Sequence, residues 1–141
     1  MYDCFFIGHH DAPQELFAQL EDAVAHCVTE LGCRHFLVGH YGNFDAMAAE
    51  AVRRAKPHWP EITLTLLLPY PTRRLLPPGF DGVWYPPALI TCPDRAAIPR
   101  ANQLALQNSR ILMAYVRTPH GNAAKVLKAA QQMNRIEAIL L

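Results

Sequence analysis

The stretch FLVGHYGNFDAMAAEAV, Phe36 to Val52, ends an apolar run in Gly-His-Tyr-Gly-Asn-Phe-Asp and turns at once into alanine-rich helix. Glycine lets a backbone approach a ligand closely and adopt positive φ, while the first N–H groups of a helix are free to bind an anion. Turns of this kind are expected at Gly8, at Gly39 with Gly42 and Asn43, and at Gly121-Asn122. Three of them on one edge would cradle a phosphate or a carboxylate. Arg73 and Arg74 follow a strand and could clamp a phosphate in bidentate fashion. Arg100 and Asn102 open a helix from which both can reach the same edge, although Asn102 could instead cap that helix.

Carboxylates and imidazoles add chemistry. Asp45, near the third residue of its helix, either caps free N–H groups, gaining about 0.3–1 kcal/mol from the dipole, or accepts hydrogen bonds from ligand hydroxyls such as those of ribose. Asp45 and Glu50 are also the carboxylates a general acid or base would draw on, with Glu50 expected nearer solvent or an ion-pair partner. His9, His10, His40 and His120 would share the edge, yet no H-x-x-x-H pair occurs and no cysteine has ligand spacing. A single histidine bonding a ligand is expected, with no metal and no cofactor.

These residues can act together only if the fold gathers them. Tyr2–Ile7 reads as a buried strand stopping at Gly8; Asp11-Ala-Pro-Gln14 is a usable helix start, with Leu16, Phe17, Leu20, Val24, Cys27, Val28 and Leu31 at helical spacing up to a Gly32 cap. His35–Val38 is the second strand, Asn43–Lys56 the second helix, and ITLTLLL, Ile62–Leu68, the strongest strand signal. Its continuous apolar character fits a strand covered on both faces, hence a parallel sheet. Residues 69–99 hold eight of the twelve prolines with apolar anchors among them, so a packed, mostly irregular excursion is expected, with Val83-Trp84-Tyr85 as a short extra strand. Ile98–Asn108 reads as helix, Ile111–Val116 as buried strand, Gly121-Asn122 to Gln132 as helix and Ile136–Leu141 as the last strand. The alternation predicts one α/β domain over residues 1–141, a Rossmann-like open, mainly parallel sheet with helices on both faces. Residues just after the strands then converge on one edge, where such sheets place ligands.

Totals bound the partners. The chain has 141 residues, 51% hydrophobic and 18% charged, which suits a real core and excludes a disordered tail. A net charge of +1 without a basic run argues against nucleic acid as a partner. No C-x-x-C pair occurs, Cys4 and Cys27 sit in apolar patterns, the chain begins directly with strand-like residues, and no apolar run has membrane-spanning length. A cytoplasmic protein without signal peptide or membrane segment is expected. The aromatics of the proline-rich excursion could pack on a second copy, making a homo-oligomer, or on the core.

FFIGHH, LVGHYGNFDAMAAEAV, LTLLLPYP, IPRANQLALQNSRILMAYV and HGNAAKVLKAA occur in order along the chain. In this set the chain resembles the SLOG superfamily, the Rossmannoid group of DprA/Smf proteins and LOG-type phosphoribohydrolases, and within it the YpsA-like branch of unknown function. The resemblance implies binding or sensing of a nucleotide or nucleotide-derived, phosphoribosyl ligand, with Gly8, His9, Gly39, Asp45, Arg100, Asn102, Gly121 and Asn122 lining the pocket. It also implies the alternative of an N-glycosidic bond hydrolase or transferase acting on nucleoside monophosphates. Leu127 stands where the LOG-type turn carries its catalytic glutamate, Asn43 replaces a usual glycine, and Arg110 replaces a common acidic residue. Single-strand DNA binding, as in the DprA relatives, is disfavoured by the near-neutral charge.

Overall fold

A computed structural model describes residues 1–71 and 77–141. In chain order its elements are β1 (Tyr2–Gly8), α1 (Phe17–Thr29), β2 (His35–Val38), α2 (Asn43–Ala55), β3 (Thr63–Leu67), β4 (Gly82–Trp84), α3 (Asp94–Gln107), β5 (Ser109–Tyr115), α4 (Asn122–Gln131) and β6 (Glu137–Leu140). The six strands form one sheet in the order β4-β3-β2-β1-β5-β6, and every neighbouring pair is parallel. The expected open Rossmann-like α/β sheet is therefore what the chain forms. No helix among the described residues is long and apolar enough to cross a membrane.

Strand alternation explains why both faces need helices. In β1, Cys4 and Phe6 point into one core and Phe5 and Ile7 into the other, so no face of the strand can be left to water. The first core is closed by α1 through Leu20, Val24, Cys27 and Val28, and by α2 through Phe44, Met47, Ala48 and Val52. The second is closed by α3 through Ala101, Ala105 and Leu106, and by α4 through Ala123, Val126 and Ala130. Phe5, Phe6, Phe36 and Phe44 are all fully buried, each contributing about 1.5–3 kcal/mol. At the N-terminal end of the sheet, the Asp3 carboxylate accepts the Arg34 and His35 N–H groups and the Arg110 guanidinium. Burial pushes that carboxyl up, but these donors outweigh it and hold it below its ordinary range.

The fold corrects three local expectations. Asp11 does not cap α1: a 3-10 turn, Gln14–Leu16, follows Pro13, and α1 starts only at Phe17. The helix expected from Ile98 begins at Asp94 and contains Pro99. Pro99 and Arg95 are both exposed, so water can take the bond that the missing N–H leaves open. The proline-rich excursion is accordingly shorter and more regular, holding β4 and a 3-10 turn at Pro87–Leu89. Three of its aromatics go inward, Phe80 packing on the first core and Trp84 and Tyr85 on the second, while Tyr70 is exposed.

Candidate functional site

From β1 the chain steps outward through β2, β3 and β4, then returns to place β5 on the other side of β1. Connections therefore leave the C-terminal ends of β1 and β5 in opposite directions and open a crevice between them, the place where doubly wound sheets bind ligands. A cleft of about 620 Å³ lies there. Its walls come from the end of β1 (Gly8, His9), the turn before α2 and its first residues (Tyr41, Asp45), α3 (Ile98, Asn102), the end of β5 (Tyr115, Arg117) and the start of α4 (Gly121, Asn122).

The α4 end is open. Gly121 is its N-cap at φ +95, and no side chain caps the helix. A Cβ at Gly121 would meet nothing within 4 Å, so only backbone conformation, not packing, demands glycine there. The Lys125 N–H already bonds the Gly121 carbonyl, which leaves the first-turn N–H groups of Asn122 and Ala123 at the cleft. From α3, Asn102, 3% exposed, lines the same cleft.

Arg117 supplies the cation. Its guanidinium stacks 4.3 Å from the Tyr115 ring centroid and donates through Nη1 to the Leu141 carbonyl at 2.8 Å. Its backbone N–H donates to His9 Nε2 at 2.7 Å, so the His9 ring proton belongs on Nδ1. The His9 ring also meets Tyr115 edge-on at 5.8 Å.

Asp45 is the buried acid. It is 6% exposed, and its Oδ2 accepts the Tyr41 N–H at 3.1 Å, an N3 carboxylate reaching back past the Gly42 N-cap. Burial pushes its carboxyl up to about 7, only partly opposed by that hydrogen bond. The Tyr41 hydroxyl is buried with no partner among the described residues. Burial first, then the Asp45 charge, pushes it up and keeps it protonated.

Six of the expected residues thus share the cleft: Gly8, His9, Asp45, Asn102, Gly121 and Asn122. Others do not. Gly39 and Gly42 line a separate cavity of about 370 Å³ behind Asp45. The Asn43 N–H is already bonded to the His10 carbonyl at 2.8 Å, so the first N–H of α2 is taken by the fold. Asn43 and Glu50 line an outer groove, and Arg100 lies between α3 and α4. Arg73 lies outside the described residues. Of the expected glycine turns, those at Gly8 and at Gly121-Asn122 line the cleft, and of these only the second opens a helix, α4.

Glu50 accepts Arg53 and Arg54 at 3.3 Å each, away from the cleft. Glu50→Gln is expected to leave ligand affinity unchanged and to cost about 0.5 kcal/mol or less in urea unfolding, the scale of exposed helix pairs. Tyr41, Tyr115, Arg117 and Thr118 line the cleft without being identified from sequence. Arg117 and Thr118 carry a readable signal, since they directly follow the apolar run ILMAYV. Comparison with protein-family models and with curated proteins yields no match to this chain.

Proposed function

We propose that the β1/β5 cleft binds a nucleotide or nucleotide-derived, phosphoribosyl ligand, as the resemblance to the SLOG superfamily implies. The observation that carries this reading is the uncapped α4 terminus lining a cleft that also holds the buried Tyr41 hydroxyl, without a partner among the described residues. A phosphate there accepts the free N–H groups and gains the helix dipole in a cleft that Arg117 also lines. Asp45 then accepts from ribose hydroxyls at the other wall. Thermal unfolding with a panel of nucleoside monophosphates tests this. At 100 times Kd a bound nucleotide stabilises by about 2.7 kcal/mol, roughly 6–12 °C in Tm for a chain of this size. A panel that leaves Tm unmoved overturns the reading.

The state of Asp45 favours a second reading, an N-glycosidic hydrolase acting on nucleoside monophosphates. A carboxyl with a value of about 7 is present in both protonation states at neutral pH, the condition for efficient proton transfer. Protonated Asp45 would give its proton to the base as the glycosidic C–N bond breaks and water oxygen bonds the ribose carbon, and the carboxylate so formed would take the water's proton. With Leu127 at the position of the LOG-type glutamate and Glu50 turned away, Asp45 would act alone. Release of free base from a monophosphate, lost in Asp45→Asn, is the expected outcome. No release by the unmodified protein leaves binding as the function.

A further inference from the structure

The turn before α2 and the first residues of that helix bring two buried polar side chains to the cleft, Tyr41 and Asp45. The Tyr41 hydroxyl is buried with no partner among the described residues. Asp45 is 6% exposed and, among the described residues, in no ion pair. The two belong together. A Cβ built on Gly39 would lie 2.8 Å from Tyr41 Cε2 and 3.1 Å from Asp45 Oδ2, so the ring edge and the carboxylate meet over the bare Cα of Gly39. The Tyr41 N–H donates to that same Oδ2 at 3.1 Å and ties the backbone of one residue to the side chain of the other. No hydrogen bond joins the Tyr41 hydroxyl to Asp45, so each keeps bonding capacity for a third group.

The two groups ask different things of that third group. The phenol, kept protonated by burial and by the Asp45 charge, offers a proton. Ionised Asp45 can only accept one. A phosphate oxygen would satisfy the phenol and be repelled by the carboxylate, and a methylene would satisfy neither. An alcohol satisfies both, accepting from the phenol and donating its own O–H to the carboxylate. From this pairing we propose that Tyr41 and Asp45 together read one hydroxyl of the ligand's sugar, which makes the cleft selective for ribose over deoxyribose. The inference rests on the nucleotide reading above, and adds Tyr41 as the residue that decides which sugar is taken. A deoxy ligand in the cleft leaves both groups unpaired, and unpaired buried polar groups are what give a site built for a hydroxyl its discrimination.

Calorimetric titration of the full chain tests it at pH 8, above the value of about 7 for Asp45. The adenosine, guanosine, cytidine and uridine 5′-monophosphates are compared with their 2′-deoxy and 3′-deoxy forms. For each ribonucleotide that binds, at least one deoxy form is expected to bind at least about tenfold more weakly. Tyr41→Phe keeps the ring over Gly39 and the N–H to Asp45 and removes only the hydroxyl. The variant is expected to unfold at the same temperature as the parent or higher, because a buried unpaired hydroxyl is gone. It is also expected to cut the ribose preference by at least about fivefold, an effect that loss of packing alone would not produce. Deoxy forms that bind as tightly as their ribonucleotides, or a preference that Tyr41→Phe leaves intact, overturn the sugar reading and spare the nucleotide site. Binding of none of the monophosphates overturns both.

Discussion

Gly8→Ala is expected to destabilise the protein by about 2–4 kcal/mol, a large part of the 5–15 kcal/mol typical of a folded domain. A Cβ at Gly8 would lie 2.3 Å from Phe44 Cγ and 2.6 and 2.7 Å from the two Cδ atoms. A flexible side chain could move aside. Phe44 cannot: it is fully buried, stacks 6.3 Å from Tyr115 at 12°, and sits on the first turn of α2. The added methyl must therefore displace either the end of β1 or the start of α2. A double-mutant cycle identifies the cause. Phe44→Leu alone should cost about 1–3 kcal/mol as a large-to-small change, and in its presence Gly8→Ala should become much cheaper. Urea midpoints of the four proteins check this, and a Gly8→Ala cost within about 0.5 kcal/mol of zero would show that the ring yields.

That contact also marks where sequence reading stops. Gly8 can be read as a glycine that admits a ligand, but the group that needs the space is Phe44. Gly42 is similar: a Cβ there would strike the His10 backbone at 2.5 Å, so two chain segments crossing, not a ligand, exclude a side chain. Of the three, only Gly121 faces open space. The local pattern of a glycine turn before a helix is the same in each case, and the difference lies in which distant segment packs against it.

Strands were far more legible than sites. YDCFFI, ITLTLLL and ILMAYV carry apolar side chains on both faces, and only a parallel sheet covered twice satisfies them. Asp94–Gln107 was harder, because Pro99 reads as a helix start yet sits inside the helix on an exposed face where its lost hydrogen bond is cheap. The burial of Asp45 was not legible at all. It follows from Phe44 anchoring the α2 start against β1 and from Tyr41 folding over the carboxylate, both tertiary facts.

Asp45→Asn is expected to make the protein more stable and less functional. Two effects oppose each other at this position. The α2 dipole and the Tyr41 N–H favour the carboxylate, the dipole by about 0.3–1 kcal/mol, while burial disfavours it. Burial wins, since the group rises to about 7 instead of falling below 3.8. Between those values the folded chain holds a proton that the unfolded chain has lost. The stability this proton supplies is complete below about pH 4, declines as pH rises, and is gone above about pH 7. Ionised Asp45 therefore costs on the order of 2–4 kcal/mol at pH 8. Asparagine keeps an oxygen for the Tyr41 N–H and carries no charge, so the variant should recover most of that cost at pH 8 and nearly none at pH 4. Urea unfolding of both proteins across this range reads the difference directly. A variant less stable than the parent at pH 8 would mean that the charge is held as a cap, and the buried carboxylate would need no functional explanation. A variant that gains stability while losing nucleotide affinity or base release places Asp45 among residues kept for what they do to a ligand at the expense of the fold.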